Sequence, residues 1–208
     1  MRKIIILDTI IIECHIFPSI ECLSLFAHNQ VQIEAHENYQ KRSFRNRYFI
    51  KDRDGLQSLS IPLLKGKNQQ QHIQNVAISY DHPWVKQHIQ TLQTVYGKAP
   101  YFLYYFEEIK QMLEAKTSSL FELNLNTTKF LLHKIGLKKD LELTSTFCKN
   151  YESAILDCRN KFDINSANQV ELVESRSFSN VKINPLMSGL DLLFNFGPES
   201  ILLLNELR

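Results

Sequence analysis

A short polar segment in the first quarter of the chain carries the side chains best suited to binding an anion. From Glu34 to Arg47 the sequence contains two acids, a histidine, a lysine and three arginines. Guanidinium groups bind phosphate and carboxylate groups through paired hydrogen bonds. In an extended segment Arg45 and Arg47 point the same way, so we predict an anion site there, with Asn46 facing elsewhere. The alternative is a solvated strand and loop whose arginines pair with Glu34 and Glu37.

A second group of candidate residues comes later, in the stretch that contains Trp84, His88 and Lys98. His82 and His88 are six residues apart and would not share a helical face well, which argues against a metal site. His88 lies on the flank of an apolar stripe. It is therefore either a general base or a hydrogen-bonded core histidine.

A third candidate, Glu13-Cys14-His15, follows the first apolar run, where α/β proteins often place ligand contacts beyond the carboxyl end of a strand. A Cys14 thiolate activated by His15 requires the two side chains to meet, and neighbouring residues usually point apart. An inert thiol is the alternative. The sequence contains no dinucleotide-binding, phosphate-loop, hydrolase or zinc-protease motif.

The elements that must position these residues follow from hydrophobic periodicity. Apolar runs or alternation predict strands at residues 4–7, 31–35, 59–63, 76–80 and 141–145. Capping and stop residues predict three consecutive helices, which begin at Asp81, Pro100 and Ser119 and of which the third closes near Gly136. We further predict a short helix over 151–162, a loop or strand pair over 163–185, and helices on either side of Gly197-Pro198.

This succession predicts an α/β fold, a layered sheet with flanking helices, of which a Rossmann-like three-layer arrangement is one form. We expect a single domain over residues 1–208, because this length suits one core. A net charge of +2 argues against nucleic acid as a partner. No apolar run is long enough to cross a membrane. Four cysteines without a Cys-x-x-Cys spacing, and no secretion signal, favour a cytoplasmic protein.

Several short motifs resemble those of one family, and their order and spacing together are fairly specific. They are Phe17-Pro18-Ser-Ile20-Glu21; Glu34 with Tyr39-Gln-Lys41 and Arg45-Asn46-Arg47; Trp84 with His88 and Tyr96-Gly-Lys98-Ala-Pro100-Tyr101-Phe102; and Gly189-Leu-Asp191-Leu-Leu-Phe-Asn195-Phe-Gly197-Pro198-Glu199. The chain thus resembles the WbqC-like family in its Bacteroidetes form, from residue 4 to about 204. It departs from that family at Glu13-Cys14-His15, where many relatives have Gln-Pro-Tyr, and lacks the Tyr-Leu-Ser-Gly segment of longer relatives.

The resemblance implies an enzyme of polysaccharide and O-antigen biosynthesis that transfers an acyl or aminoacyl group, such as glycine, to a sugar. Under it Arg45 and Arg47 hold a phosphate or carboxylate, Lys41 neutralises developing charge and His88 is the general base. The other expected substrate-binding residues are Glu34, Tyr39, Asn46, Trp84, Tyr96, Lys98 and His15.

The expected substrate is an anionic small molecule, either a nucleotide sugar or an activated acyl donor. The cofactor and the oligomeric state stay open. Two alternatives are a nucleotidyltransferase-like enzyme, suggested by a first strand followed by a loop with His15, and a non-catalytic scaffold that binds a partner through the aromatic helix Tyr101 to Phe106.

Overall fold

The computed structural model describes residues 9–52, 55–64, 71–152, 154–164 and 171–207. The strand predicted at residues 4–7 lies outside them. A second apolar run, Ile10 to Ile12, lies in strand β1 (Thr9–Glu13), whose last four residues are buried. This burial agrees with a continuous apolar run covered on both faces.

β1 lies inside a four-stranded sheet in which every pairing is parallel. The other strands are β2 (Gln30–Glu34), β5 (Glu142–Leu143) and β6 (Ile155–Asp157), in the order β5-β2-β1-β6. Successive strands are added on one side of β1 until β6 pairs with its other side. The strand order therefore reverses between β1 and β6, at the kind of position where open parallel sheets bind ligands. The predicted α/β fold with a layered sheet is confirmed.

Two short antiparallel pairs accompany the main sheet. β3 (Arg47–Asp52) pairs with β4 (Gly55–Ser60), and β7 (Val173–Glu174) pairs with β8 (Lys182–Ile183). For the polar region 163–185, where either a loop or a strand pair was predicted, the structure thus shows a strand pair.

Two local predictions are wrong. The short helix predicted over 151–162 is instead the segment that supplies β6, a strand of three residues paired with β1. The strand predicted over 76–80 is preceded by a 3-10 turn, Ile73–Asn75, and forms only isolated bridges. In both places pairing with distant strands or loops decides the conformation, and local periodicity carries no information about such pairing.

The other predicted helices are present, together with one, α1 (Ile20–His28), that was not predicted. Helix α1 connects β1 to β2, and the three consecutive helices are α2 (Trp84–Tyr96), α3 (Phe102–Glu114) and α4 (Leu120–Ile135). Helices α5 (Gly189–Phe196) and α6 (Ser200–Glu206) are separated by a 3-10 turn that contains Pro198. Of the helices in the described part of the chain, none is long and apolar enough to span a membrane.

Helix α4 begins and ends as its sequence predicts. The Ser119 hydroxyl accepts a hydrogen bond from the backbone N–H of Glu122, and Gly136 closes the helix in the left-handed conformation. Such caps satisfy backbone groups that have no partner inside the helix. α4 is consequently fixed at both ends, which matters because its buried polar face holds the loop after β1.

We expect Ser119→Ala to lower the free energy of unfolding by about 1 kcal/mol, because the cap hydrogen bond is lost. Urea denaturation measures the change. Ser118→Ala is the matched control, since Ser118 is exposed and contributes only its backbone carbonyl to a hydrogen bond with Ile78. Equal losses in the two variants would contradict the capping role.

Candidate functional site

Polar side chains gather at the carboxyl ends of the parallel strands. β1 ends at Glu13, β2 ends at Glu34 and β6 ends at Asp157, with Arg159 and Asn160 just beyond. Because these strands are parallel and adjacent, their ends meet at one edge of the sheet. The polar residues there form two connected ionic groups.

Arg45 is the centre of the first group and has no exposed surface. Its Nε and Nη2 donate to the two carboxylate oxygens of Glu37 at 2.7 and 2.6 Å, and Nη2 also donates to Asn160 Oδ1 at 2.9 Å. Its Nη1 lies 3.7 Å from Glu13 Oε1. A buried guanidinium needs such partners, because an unpaired buried charge costs several kcal/mol.

The two carboxyl groups beside Arg45 differ in their pKa values. Burial raises the pKa of Glu13, but contact with His15, the charge of Arg45 and the Asn160 amide outweigh it and bring the pKa to about 2. The pKa of Glu37 is raised, because burial and the charges of Glu13 and Glu34 outweigh its hydrogen bonds with Arg45. Glu37 is thus the carboxyl of this group that takes up a proton more readily.

The second group surrounds Glu34 and Arg159. Arg159 donates to Glu34 Oε2 at 3.0 Å and to both carboxylate oxygens of Asp157 at 2.9 and 2.6 Å. Thr144 and Tyr151 donate to Glu34 through their hydroxyl groups. Burial and the Glu34 charge raise the pKa of Tyr151 to about 12, while the hydrogen bonds from Arg159 lower the pKa of Asp157.

Helix α4 holds the first group from behind. Asn124 donates to the carbonyl oxygens of Cys14 and Arg45 at 3.1 and 2.7 Å, and the hydroxyl of Thr128 donates to the carbonyl of His15 at 3.4 Å. These residues lie more than 75 positions from their partners along the chain. The position of Arg45 therefore depends on packing between distant parts of the fold.

Asn160 completes the arrangement in an unusual backbone conformation. Its φ is 60°, in the left-handed region that asparagine tolerates better than most residues. In this conformation its N–H donates to Glu13 Oε2 at 2.9 Å, while its side chain accepts from Arg45. One residue thus joins the end of β6 to the acid at the end of β1.

A cavity of about 340 Å³ opens above the two groups. Its lining combines acids, bases, amides and one aromatic ring: Glu37, Asn38, Gln40, Phe147, Lys149, Asp157, Arg159 and Asn160. Its volume falls in the range of small-molecule sites, and its polar lining suits a ligand with hydroxyl or amine groups and an anionic group. In the described residues, no three His, Cys, Asp or Glu side chains are grouped to hold a metal ion.

Several buried polar atoms near Arg45 have no hydrogen-bond partner among the described residues. They are Glu13 Oε1, both ring nitrogens of His15, Arg45 Nη1 and Asn124 Oδ1. His15 Nε2 lies 3.3 Å from Glu13 Oε1, but the two are not aligned as a hydrogen bond, and the ring packs against Phe44 and Phe162. Unpaired buried polar atoms are rare in folded proteins, so their grouping marks this part of the interior as unusual.

The structure brings three of the predicted site residues to the sheet end, namely Glu34, Arg45 and His15. The extended conformation predicted to align Arg45 with Arg47 is wrong, because residues 41–46 form turns and bends and Arg47 starts β3. Arg47 donates to Ser60 Oγ. The anion-binding roles of the two arginines stay predictions. Arg45 does pair with Glu37, as the salt-bridge alternative has it, but in the interior and not on a solvated surface.

The remaining residues of the early polar segment lie nearby in different surroundings. Asn46 donates to the carbonyl of Ile61, and Tyr39 is buried, which raises its pKa. Lys41 is exposed and directly follows Gln40, which lines the cavity. Their substrate-binding and catalytic roles stay predictions.

The residues predicted around His88 do not line this cavity. His88 is buried, and its Nδ1 lies 3.1 Å from the Tyr48 hydroxyl. Burial lowers the pKa of His88 to about 4, although a hydrogen bond with the Ser60 backbone acts to raise it. Trp84 donates to the Ser79 carbonyl and packs on His88. This is the placement of a hydrogen-bonded core histidine; its role as a base stays a prediction.

The other two predicted residues of that cluster lie apart from each other. Tyr96 is buried and donates to Asp191 Oδ1 at 3.0 Å, whereas Lys98 is exposed just after α2. Neither lines the sheet-end cavity. Their substrate-binding roles stay predictions as well.

Asp157, Arg159 and Asn160 line the cavity but were not predicted as site residues. The signal was present, because an acid, a base and an amide follow Ile155 and Leu156 within four residues. The prediction of a helix over 151–162 hides this signal, because polar residues are typical of ligand sites only when they follow a parallel strand.

Fold and site together define a layered α/β protein with a polar ligand cavity at the carboxyl ends of its parallel strands. The family model of the WbqC-like protein family matches residues 15–185, and the chain belongs to that family. The predicted family is confirmed over residues 15–185, and the motif from Gly189 to Glu199 lies outside the matched range. A search of curated proteins and a search of solved structures each found no match.

The low pKa of Glu13 predicts a pH-dependent contribution to stability. Its pKa is about 2 in the folded protein against 4.5 for a free glutamate. This difference stabilises the fold by about 3 kcal/mol above pH 4.5, and the contribution is lost as the pH falls toward 2. Urea denaturation of wild type and Glu13→Gln should show a stability difference that shrinks as the pH is lowered from about 5 to 3.

The matched control is Glu107→Gln, which changes an exposed glutamate on α3. Its stability difference from wild type should stay small at each pH. A Glu13→Gln difference that is the same at pH 3 and pH 5 would contradict the ionised state assigned to Glu13.

Proposed function

We propose that the chain is an enzyme of cell-surface polysaccharide biosynthesis, a transferase that moves an acyl or aminoacyl group, such as glycyl, onto an amine or hydroxyl group of a sugar. Family membership supports the setting, because the WbqC-like family is associated with O-antigen biosynthesis loci. The observation that carries the reaction type is Glu37. It is a cavity-lining carboxyl with a raised pKa, held in orientation by a buried arginine.

The neutral lining supports a sugar as the acceptor. Asn38, Gln40 and Asn160 offer amide groups that can both donate to and accept from hydroxyl groups. Phe147 is half exposed and presents a ring against which a pyranose can pack. A sugar is the common small molecule that combines many hydroxyl groups with an apolar ring face.

The cations of the cavity support an anionic group on one substrate. Arg159 is already paired with Asp157 and Glu34, so most of its charge is balanced. Lys149 is exposed and forms no ion pair within the described residues, so its ammonium is free to bind a phosphate or carboxylate. Lys41, next to the lining residue Gln40, keeps its predicted role of neutralising developing charge.

Glu37 supplies the proton transfer in this proposal. The acceptor nitrogen or oxygen attacks the carbonyl carbon of the activated donor and loses its proton to Glu37. The new carbon–nitrogen or carbon–oxygen bond forms as the bond to the leaving group breaks, and Glu37 returns the proton to the leaving group. A carboxylate with a raised pKa is a stronger base than an ordinary one. Glu37 replaces His88 here, because the His88 ring is already hydrogen-bonded inside the core.

Nucleotidyl transfer remains a second candidate because of one observation, the reversal of strand order beside β1. Nucleotides bind at such positions in related architectures. His15, the residue that suggested this activity, is buried, so a reacting phosphate would have to be bound by residues of the cavity instead. Thermal stabilisation by CTP or ATP, without stabilisation by acyl donors, would favour this candidate.

The scaffold alternative rests on helix α3. Phe102 and Phe106 are buried, so the rings that suggested a binding face are mostly used in the core. Leu103 and Tyr104 are exposed by 85% and 74% and leave a small apolar surface for a partner. This alternative predicts that no nucleotide sugar binds the chain.

The direct test is a mass-spectrometric screen of nucleotide sugars, with free amine or hydroxyl groups, against glycyl and acetyl thioesters. We expect one acceptor to gain the mass of the acyl group in the presence of wild type. Glu37→Gln should lower that rate by a factor of about 100 or more, because the base is removed and the carboxamide cannot take up the proton.

The control is Glu114→Gln, an exposed acid at the end of α3, which should keep the wild-type rate. Circular dichroism of both variants checks that the fold is intact. Turnover by folded Glu37→Gln at the wild-type rate would contradict the role of Glu37. Absence of any product together with absence of binding would contradict the transfer reaction.

A further inference from the structure

A second cavity, of about 560 Å³, lies among helix α5 and the two antiparallel pairs, β3-β4 and β7-β8. It shares no lining residue with the sheet-end cavity. Its volume is well within the range of small-molecule sites. Nothing in the proposed transfer reaction uses it.

Asp191 forms the acidic part of this cavity. It lies in the first turn of α5 and is 7% exposed. Its Oδ1 accepts from the Tyr96 hydroxyl at 3.0 Å and lies 3.5 Å from Asn195 Nδ2, and the Tyr96 hydroxyl in turn accepts from the backbone N–H of Lys51. These contacts fix the carboxyl group relative to both α5 and β3.

The other oxygen of Asp191, Oδ2, forms no hydrogen bond with the described residues. Burial raises the pKa of this carboxyl group. The hydrogen bond from Tyr96 and the charge of Lys51 act to lower that pKa, but burial outweighs them. A carboxylate that is mostly removed from water is stabilised by a cation or by strong donors. The cavity therefore offers a place for a ligand's ammonium group beside Oδ2.

Two lysines form the basic part of the lining. Lys51 is exposed and forms no ion pair with the described residues. Lys182 pairs with Glu174 at 3.4 Å, but both side chains are more than half exposed, so this pair contributes little and can be exchanged. Both ammonium groups are consequently available to a carboxylate.

Between the charged groups the lining is apolar. Leucine, valine, methionine and phenylalanine side chains face the cavity: Leu56, Leu172, Val181, Met187 and Phe196. They give an organic ligand a surface on which to bury its carbon skeleton. A simple inorganic ion would leave this surface unused.

We infer that this cavity binds an α-amino acid with an apolar side chain, or a larger molecule that ends in one. Its ammonium group lies at Asp191, its carboxylate lies at Lys51 and Lys182, and its side chain packs on the apolar lining. A plain carboxylic acid leaves Asp191 Oδ2 unpaired, and a plain amine leaves the lysines unpaired. The zwitterion satisfies both ends at once. This inference does not depend on the proposed transfer reaction.

Three probes that differ by one group each test the inference on the full chain. L-phenylalanine carries both charges, 3-phenylpropanoate lacks the amine, and 2-phenylethylamine lacks the carboxylate. Isothermal titration calorimetry should show that L-phenylalanine binds at least tenfold more tightly than either of the other two. Equal binding of the three probes, or no binding of L-phenylalanine at millimolar concentration, would overturn the inference.

Two substitutions assign the binding to this cavity. Asp191→Asn keeps an acceptor for the Tyr96 hydroxyl but loses the negative charge, so L-phenylalanine should bind about as weakly as 3-phenylpropanoate does. Lys51→Met removes one cation without changing α5, and it should weaken the binding of L-phenylalanine severalfold. This variant keeps the test decisive if Asp191→Asn does not fold. Glu199→Gln, an exposed acid just after α5, is the control and should bind as wild type does. Unchanged affinity in both Asp191→Asn and Lys51→Met would place the binding elsewhere and contradict the inference.

Discussion

A guanidinium group without contact with water is the constraint on which this end of the molecule depends. Arg45 cannot be deprotonated at any ordinary pH, so its charge must be met by carboxylates inside the protein. Glu37 meets it with two hydrogen bonds, and Glu13 and Asn160 lie on its other sides. The end of β1, the loop after β2 and the turn after β6 are held together as a result. The edge of the sheet is thereby given one fixed geometry.

The same constraint sets the chemistry of the cavity above it. Arg45 lies between the carboxyl groups of Glu13 and Glu37. Its single positive charge does not fully balance the repulsion between these two acids. Glu13 receives the close contact of His15 and an additional amide, so its pKa falls, while the pKa of Glu37 rises. Glu34, an acid of the neighbouring group around Arg159, adds to the negative charge that Glu37 experiences. A carboxyl group that accepts a proton more readily thus lies in the wall of a polar cavity.

The parts of the fold that depend on local interactions could be predicted from the sequence. The caps of α4 at Ser119 and Gly136 are examples, as is the alternation in β2. β6 could not be predicted, because a strand of three residues is defined by its pairing with β1. The burial of Arg45 could not be predicted either, since its partners lie up to 115 residues away and arginine is usually exposed. Two features of the sequence did indicate where the sheet-end cavity lies: the position of Glu13 and His15 after the first strand, and the polar segment from Glu34 to Arg47.

The most direct test of this account is the coupling free energy between Arg45 and Glu37, measured by urea denaturation of Arg45→Met, Glu37→Gln and the double variant. If the pair is buried and doubly hydrogen-bonded, the double variant should lose less free energy of unfolding than the two single variants lose together. The expected difference is about 2 kcal/mol or more. Each single variant leaves a buried group without its partner, and the second substitution removes part of that cost. Additive effects, with a coupling below about 0.5 kcal/mol, would contradict the central place given to this pair.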